Sequence, residues 1–352
     1  MSKITITEIA KMAGVSIGTV SSVLNNKSNV SKKTRKKIQD LIKKHDYHPS
    51  RLAKNLALKS SNLIGAIIME QHFSMDEPFY TKIYLSAIVE TDKQNKHLLL
   101  SLVREKDCQN DDIQLPNFVN DKTIAGIITM GDIPIQYLKE LANKKIPMAV
   151  VDYYSPDLEN ANFIMANNYM AGYIATKHLA DLGHKKIACI ADMCDHPSIE
   201  ERIRGYEKIL QENNIQLPEA LLCRSQTYHP HNYGYEVGVK IAKKEIDVTA
   251  VFATNDSMAI GCIEALTENG IKVPEDVAIV GCDDIAAASQ ITPKLTTIRI
   301  PIKEMGVKAV NKLIASIDEK DHIPQMTTLP VKLIVRGSCG SQEKTQEKLH
   351  LI

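Results

Sequence analysis

The stretch that decides the fold of the N-terminal region reads Thr5-Ile-Thr-Glu-Ile-Ala-Lys-Met-Ala-Gly-Val-Ser-Ile-Gly-Thr-Val-Ser-Ser-Val-Leu-Asn25. Thr5 can cap a first helix, and Glu8 three residues later completes a capping box. Gly14 suits the left-handed turn that ends a helix, and Ser16 can cap a second one. Apolar residues recur at helical spacing in both halves of the stretch. This pattern predicts a helix-turn-helix, the motif whose second helix enters the major groove of DNA.

The charge around this motif is strongly segregated. Residues 1–60 contain thirteen Lys and Arg against three Asp and Glu, whereas the other 292 residues contain 30 against 39. A net charge of +1 for the whole chain conceals this difference. Lys and Arg that neutralise phosphates supply the sequence-independent part of DNA affinity, so a segregated basic segment indicates double-stranded DNA as a partner. A pair of helices in an ordinary small α domain would not account for the charge.

The same stretch closely resembles the head of the LacI/GalR family of transcriptional regulators. A second element typical of that family follows, Tyr47-His-Pro-Ser-Arg-Leu-Ala-Lys-Asn-Leu-Ala57, and the resemblance extends to about Gly337. The resemblance implies a DNA-binding headpiece at residues 1–49, a hinge helix and linker at 50–62, and an effector-binding and dimerisation core at 63–337. The remaining tail, 338–352, is polar and lacks leucine heptads, and we expect it to be disordered.

From residue 63 onward, short apolar runs alternate with amphipathic helical patterns, which predicts α/β architecture with parallel sheets covered by helices. Two such series predict two Rossmann-like lobes, and the resemblance implies a periplasmic-binding-protein-like core. Three crossings near 160, 292 and 321 would divide it into an N-lobe, about 63–160 and 293–320, and a C-lobe, about 162–291 and 322–337. Residues 109–120 are expected to be short or irregular, because Pro116 interrupts the helical pattern. The predicted strands are 63–69, 97–102, 125–130, 148–152, 186–191, 250–253 and 277–282, and the clearest helices are 80–94, 168–182, 201–211 and 256–268.

The resemblance also implies which residues contact DNA. It assigns base reading on the second helix to Ile17, Gly18 and Ser22. Phosphate contacts or capping are expected at Thr5, Ser16, Thr19, Ser21 and Asn25. In the hinge the expected contacts are Ser50, Ala53, Lys54 and Leu56, of which Leu56 would wedge between bases in the minor groove. Because such a hinge folds only when two copies meet on the operator, we predict a homodimer.

Ligands of open α/β sheets bind outside the carboxyl ends of the strands, and several polar groups fall there. Carboxylates, an amide and a guanidinium can pair with the vicinal hydroxyls of a sugar, while aromatic rings can stack on its apolar face. Asp256 is expected to cap a helix and Asp284 to lie in a turn. The resemblance places Arg202, Asn255 and Asp283 at effector-contacting positions. The candidate effector contacts are Phe79, Tyr80, Asp152, Tyr153, Arg202, Asn255 and Asp283.

Several other classes of protein are disfavoured. No stretch approaches the roughly 20 apolar residues of a membrane span, and the N-terminus lacks the apolar core of a secretory signal, so we expect a cytoplasmic protein with no membrane partner. The seven cysteines form no CxxC pair and the histidines no HExxH motif, so neither a metal nor a cofactor is predicted. No nucleophile elbow, Walker loop or GxGxxG supports an enzyme. A solute-binding protein would share the two-lobed core but not the basic head.

The sequence therefore predicts a DNA-binding transcriptional regulator, acting as a repressor and controlled by a small neutral sugar or glycoside in the cleft. A purine or nucleobase is the alternative effector, since one branch of the family uses purines as corepressors. Such a site would need stacking aromatics on both faces of the base. The sequence leaves open the identity of the effector, the sign of its action, the operator, and the binding of a phosphocarrier co-regulator.

Overall fold

The computed structural model describes residues 4–24, 30–45, 47, 61–73, 79–109, 112–191, 196–216, 221–225, 229–319 and 323–341. The chain divides into two compact units, Met1–Asn62 and Leu63–Ile352. Several sites predicted from the sequence lie outside the described residues, namely Asn25, the four hinge positions Ser50, Ala53, Lys54 and Leu56, and tail residues 342–352. The start of the tail that was expected to be disordered is ordered instead, because Ser338 and Cys339 are buried and the Ser338 hydroxyl donates to the Ile279 carbonyl at 2.6 Å.

The first unit contains the predicted helix-turn-helix. Its helices are α1 (Ile6–Ala13), α2 (Ile17–Leu24) and α3 (Lys32–Lys44). The capping box is confirmed, because the Thr5 backbone N–H donates to Glu8 Oε2 at 2.6 Å and Glu8 N–H donates to Thr5 Oγ1 at 3.3 Å. Gly14 ends α1 with a φ of 68°, a left-handed conformation that glycine adopts without steric cost.

A small core holds these three helices together. Lys37 on α3 donates from Nζ to the carbonyl of Ala13 at 2.9 Å, which satisfies one of the free carbonyls at the end of α1. The opposite side of α2 stays open, and the Ile17 side chain at its start is 46% exposed. The buried residues of this core are Ile9, Ala10, Ala13, Val20, Val23, Ile38 and Tyr47.

Gly18→Ala is expected to stabilise the headpiece by about 1 kcal/mol, since glycine inside a helix is less favourable than alanine by that amount. A Cβ at this position would meet only Ser16 Oγ at 3.7 Å. Hydrogen exchange of the α1 and α2 amides in the full-length protein should slow several-fold. Gly14→Ala is the matched control: it should accelerate exchange, because φ there is +68°. Faster exchange in Gly18→Ala would contradict the expectation.

The second unit contains two six-stranded sheets flanked by helices. Strands and helices alternate through most of its first half, and the helix in the segment expected to be short or irregular, Asn117–Asn120, has only four residues. The elements are β1 (Leu63–Met69), α4 (Phe79–Lys93), β2 (His97–Val103), α5 (Asn117–Asn120), β3 (Gly126–Met130), α6 (Ile135–Asn143), β4 (Met148–Val151) and β5 (Ala161–Ala166).

The second half follows the same alternation and then returns to both sheets. The elements are α7 (Asn168–Asp181), β6 (Ile187–Ala191), α8 (Pro197–Glu212), β7 (Leu222–Arg224), α9 (Pro230–Ala242), β8 (Ala250–Ala253), α10 (Asp256–Glu268), β9 (Ala278–Asp283), β10 (Thr296–Arg299), α11 (Ile302–Asp318), β11 (Met326–Leu329) and β12 (Lys332–Ile334). None of the helices in the described part of the chain is both long enough and apolar enough to cross a membrane.

The sheets confirm the predicted α/β class with two parallel-stranded lobes. The N-lobe sheet has the order β11-β5-β4-β3-β1-β2, and the C-lobe sheet has the order β12-β10-β9-β8-β6-β7. All the pairings are parallel except that of β10 with β12. Parallel order brings the carboxyl ends of the strands in each sheet to one edge, where a ligand site is expected.

The chain crosses between the lobes later than the sequence predicted. Strand β5 at 161–166 pairs with β4 in the N-lobe, and β10 at 296–299 pairs with β9 in the C-lobe. Strand β11 then returns to the N-lobe. The crossings therefore follow residues 166, 299 and 329 rather than lying near 160, 292 and 321. The short strand β5 was missed because it contains the buried polar residue Asn162, whose side chain bonds Ser316 and the Gln325 backbone.

Close helix packing positions the part of the C-lobe that faces the other lobe. At Gly172 in α7, an added Cβ would lie 1.8 Å from the carbonyl oxygen of Arg202 in α8. At Gly205 in α8, an added Cβ would lie 2.1 Å from the Tyr169 carbonyl oxygen. The two glycines let the helix backbones touch, which fixes the position of Arg202 relative to α7.

Candidate functional site

A cavity of about 190 Å³ lies where the carboxyl ends of the two sheets face each other. Strands β3 and β4 supply its N-lobe wall together with the start of α4, while α8, α9, α10 and the end of β9 supply its C-lobe wall. Its lining is mixed polar and apolar, as is usual for sites that orient a small molecule. The lining residues are His72, Phe79, Tyr80, Asp132, Asp152, His196, Ser198, Ile199, Arg202, Pro230, Asn255, Ser257, Asp283 and Ile285.

Six of the seven side chains predicted from the sequence line this cavity, and Tyr153 does not. The Tyr153 ring packs edge-on against His196, with centroids 5.9 Å apart, and joins the apolar cluster on the other side of the sheet. Burial and the nearby Asp132 and Asp157 carboxylates raise the pKa of its hydroxyl. The left-handed turn at Asp152, φ 59°, breaks the alternation of the strand and sends Tyr153 away from the site.

Asp152 connects the two lobes. Its Oδ2 accepts a hydrogen bond from the Tyr80 hydroxyl at 2.9 Å, and its Oδ1 accepts one from the Ser198 hydroxyl at 2.8 Å. Tyr80 and Asp152 belong to the N-lobe, whereas Ser198 lies in the first turn of α8 in the C-lobe. The bond between Asp152 and Ser198 therefore holds the lobes together across the cavity.

Arg202 is the central cation of the cavity and is 4% exposed. Its Nε donates to Asn168 Oδ1 at 2.9 Å, its Nη1 lies 3.1 Å from Asp283 Oδ1, and Nη1 also donates to the Thr254 carbonyl. Burial lowers the pKa of the guanidinium, but its neighbours Cys282, Asp283 and Asp152 together raise it more, so the net shift is upward. The guanidinium is thus held charged and in one orientation.

Asp283, the last residue of β9, has a φ of 116°. Non-glycine residues adopt such a conformation only where the surrounding structure enforces it, and such strain concentrates at functional sites. Asn255 caps α10, since its Oδ1 accepts from Met258 N–H at 2.9 Å. That bond uses the carbonyl oxygen of the amide, and the amide nitrogen is the group that can serve a ligand.

Asp256 does not cap its helix, contrary to the expectation from the sequence. Its two oxygens accept from the Ile285 backbone N–H at 2.8 Å and the Thr297 hydroxyl at 2.5 Å. Burial and the nearby Asp283 carboxylate raise its pKa well above the ordinary value. Asp256 supports the cavity from beneath by fixing Ile285, which lines it.

Asp284 is more than a turn residue, because it pairs with Arg299 Nε at 2.6 Å and with Arg336 Nη2 at 2.5 Å. Burial raises its pKa, but the hydrogen bonds from the two arginines lower it more, so the net shift is downward. Strand β9 is thereby tied to β10 and to the final segment of the core. The structure places this side chain outside the cavity lining.

Asp284→Asn is expected to lower the free energy of unfolding at pH 7 by about 1–3 kcal/mol, the range for losing a charged hydrogen-bond partner. The pKa of Asp284 is lower in the folded protein than in the unfolded chain, where it is about 3.9. The ionised carboxylate therefore contributes its full stabilisation above the unfolded-state pKa. It is lost as pH falls through the folded-state pKa. Urea unfolding of wild type and Asp284→Asn between pH 7 and pH 3 should show that their difference in unfolding free energy shrinks as the pH approaches 3. A difference that widens on acidification would refute the assignment.

Sequence reasoning missed several lining residues, of which Asp132, His196 and Ser198 matter most. Asp132 follows β3 directly after Gly131, and the rule that selected Asp152 could have found it. His196 caps α8 by accepting from Ser198 N–H at 3.2 Å. No local signal marks His196 or Ser198 as a ligand contact, because only the packing of the lobes brings them to the cavity. Within the described ranges, no three His, Cys, Asp or Glu side chains are grouped to hold a metal ion.

A helix-turn-helix unit joined to a two-lobed core with a polar cavity defines a DNA-binding regulator that responds to a small molecule. Comparison with family models agrees: "Bacterial regulatory proteins, lacI family" matches residues 5–50, and "Periplasmic binding protein-like domain" matches residues 176–339. The HTH-type transcriptional repressor PurR of Histophilus somni (strain 129Pt) is 34% identical over 339 residues, covering 95% of this chain and 98% of the relative. The chain belongs to the lacI family of bacterial regulatory proteins, which confirms the family expected from the sequence.

Solved structures show the same fold. The lac repressor dimer bound to operator and the anti-inducer ONPF matches with a TM-score of 0.81 and 27% identity, covering 96% of this chain and 99% of that one. A complex of the transcriptional regulator CelR with cellobiose matches with a TM-score of 0.72 and 26% identity, covering 95% and 99%. The protein is accordingly a helix-turn-helix transcriptional regulator.

Proposed function

We propose that this protein is a homodimeric repressor that releases or binds its operator according to the occupancy of the cavity by a small sugar or glycoside. It acts in the cytoplasm, where its DNA lies, and catalyses no reaction. The observation that carries the effector assignment is the polar set Asp152, Arg202, Asn255 and Asp283, which converges on one cavity from two lobes. Paired carboxylates and a guanidinium suit adjacent hydroxyls of a sugar ring.

The distribution of aromatic rings favours a sugar over a purine. Phe79 and Tyr80 come from the same turn of α4, with ring centroids 5.0 Å apart and planes at 82°. Among the described lining residues of the C-lobe, the apolar ones are Ile199, Pro230 and Ile285, so none of these described residues presents a phenyl or phenol ring to Phe79 and Tyr80. A flat base is best held between two aromatic faces, whereas one aromatic wall opposite polar groups suits a sugar. The CelR complex with cellobiose is consistent with this choice, whereas the PurR repressors, which are 34% identical to this chain, favour the purine alternative.

A thermal-shift screen of full-length protein tests the effector class. The panel contains glucose, galactose, ribose, lactose and cellobiose against hypoxanthine, guanine and adenine. We expect stabilisation by a sugar, with the shift abolished in Asp283→Asn and retained in Asp284→Asn, the neighbouring residue outside the cavity lining. Operator binding should persist in both variants. A purine that stabilises the protein while no sugar does would replace the proposal by its alternative.

For DNA recognition we propose that Ile17, Gly18 and Ser22 read bases. Ile17 and Gly18 lie on the open side of α2, and the exposed Ile17 side chain can contact a thymine methyl group. Gly18 offers no side chain, so base contacts from α2 are sparse, and deformation of the minor groove by Leu56 carries much of the discrimination. The residues proposed for phosphate contacts or capping are Thr5, Ser16, Thr19, Ser21 and Asn25, and the further DNA contacts proposed in the hinge are Ser50, Ala53 and Lys54.

Exchange of the three base-reading residues for those of a relative tests this assignment. Operator preference, measured by gel shift on both operators, should follow the exchanged residues. The control exchanges Thr5 and Ser16, which should weaken binding to both operators about equally, since phosphate contacts carry no sequence information. An operator preference that stays unchanged after the exchange would show that these three residues do not read the bases.

A further inference from the structure

His196 is an internal hydrogen-bond donor of the cavity. It is 5% exposed, lines the cavity, and precedes the first turn of α8. Its Nδ1 accepts a hydrogen bond from the Ser198 backbone N–H at 3.2 Å. A ring nitrogen that accepts a hydrogen bond carries no proton, so the proton of the imidazole resides on Nε2. Nε2 is therefore a donor.

Within the described part of the chain, Nε2 of His196 is a buried polar atom without a hydrogen-bond partner. A buried donor without a hydrogen-bond acceptor costs free energy, and a suitably placed acceptor would recover it. The neighbouring Tyr153 ring packs edge-on and fixes the imidazole plane. Because His196 lines the cavity, a molecule bound there is in position to offer that acceptor.

The charge of the cavity restricts what that acceptor can be. The described lining contains three carboxylates, Asp132, Asp152 and Asp283, against one guanidinium, Arg202. Arg202 is already paired with Asp283 at 3.1 Å. A phosphate or carboxylate on the ligand would meet Asp132 and Asp152 with no further cation in the described lining to compensate it. Like charges brought together in a partly enclosed cavity repel each other.

We infer that His196 donates from Nε2 to an uncharged oxygen of the effector, and that the site thereby selects neutral sugars over sugar phosphates and sugar acids. The inference rests on the proposed function, because it takes the same cavity as the effector site. It adds a residue that sequence reasoning did not select, and it narrows the class of ligand.

Two substitutions separate the donor of His196 from its role as a helix cap. His196→Asn keeps an oxygen near the position of Nδ1, so it preserves the cap on Ser198 and removes the Nε2 donor. His196→Gln places an amide N–H near the position of Nε2 and loses the cap. The probe is the sugar that gives wild type the largest shift in the screen, with its affinity measured by calorimetry and stability by urea unfolding.

We expect His196→Asn to unfold like wild type and to bind that sugar about tenfold more weakly, the loss for one hydrogen bond of about 1.4 kcal/mol. His196→Gln should bind nearly as wild type and unfold at lower urea. Nitrogen NMR of the free protein should show the neutral imidazole protonated at Nε2. The reverse order of affinities, or a proton on Nδ1, would overturn the inference.

A separate measurement tests the proposed preference for neutral sugars over charged ones. The phosphate ester of the probe sugar at its terminal primary hydroxyl should bind wild type at least tenfold more weakly than the sugar itself, and Asp132→Asn should reduce that ratio of affinities. Tighter binding of the phosphate ester than of the parent sugar would contradict the proposed preference for neutral sugars. If no sugar binds wild type, the proposed function fails. A sugar that binds wild type and His196→Asn equally defeats only the role of His196.

Discussion

Arg202→Met is expected to lower the free energy of unfolding of the core by about 3–5 kcal/mol, which is the cost of removing one partner from a buried ion pair. The Arg202 and Asp283 side chains are 5% and 14% exposed, so water cannot replace the lost cation. The Asn168 oxygen and the Thr254 carbonyl lose a donor at the same time. Urea unfolding of the full-length protein measures the change.

Two comparisons show whether the cause is the buried charge. Adding Asp283→Asn to Arg202→Met removes the carboxylate as well and should restore most of the lost stability. Arg204→Met is the matched control, since that arginine lies in the same helix with a 64% exposed side chain paired to Glu201. It should change stability by no more than about 0.5 kcal/mol. Equal losses of unfolding free energy in Arg202→Met and Arg204→Met would show that the buried ion pair is not the cause.

Val89→Asp is expected to convert the protein to a monomer and to weaken operator binding about 100-fold or more, because two linked DNA-binding units gain that much from joint engagement. Helix α4 exposes Leu85 at 54%, Ile88 at 37% and Val89 at 57% on one face, and the packed strand β2 adds Leu102 at 37%. Such a group of exposed apolar side chains is typical of a protein interface. Light scattering and gel shift measure the two effects.

Leu182→Asp is the control for that substitution. Leu182 is an exposed apolar residue of similar size at the end of α7, with 40% exposure, and lies in the C-lobe. It should leave both the oligomeric state and operator affinity unchanged. A stable dimer of Val89→Asp at micromolar concentration would show that α4 is not the interface.

The parts of the fold that could be predicted from the sequence are those specified by local signals. Thr5, Glu8 and Gly14 act within one helix, so their spacing was sufficient to place α1 and the turn after it. Strand β5 was missed because the partners that satisfy Asn162, Ser316 and Gln325, lie more than 150 positions away in the chain. Long-range partners of buried polar residues leave no local pattern.

The residues of the candidate site likewise differ in whether local sequence signals or long-range packing place them there. Asp152 and Asn255 follow buried strands and Asp283 ends one, and strand ends are recognisable in a sequence. His196 becomes a site residue only because the lobes face each other, and Tyr153 leaves the site because of a backbone angle at the preceding residue. Neither effect can be derived from residue type and spacing.

The three crossings between the lobes have a consequence for synthesis on the ribosome. Strand β10 is internal to the C-lobe sheet, and β11 and β12 form an edge of each sheet, yet all three lie beyond residue 295. The headpiece, which forms its core from residues before 48, is complete early in translation. Neither lobe can close its sheet until almost the whole chain has emerged, so a nascent chain carries a finished DNA-binding unit well before it carries a core that can sense an effector.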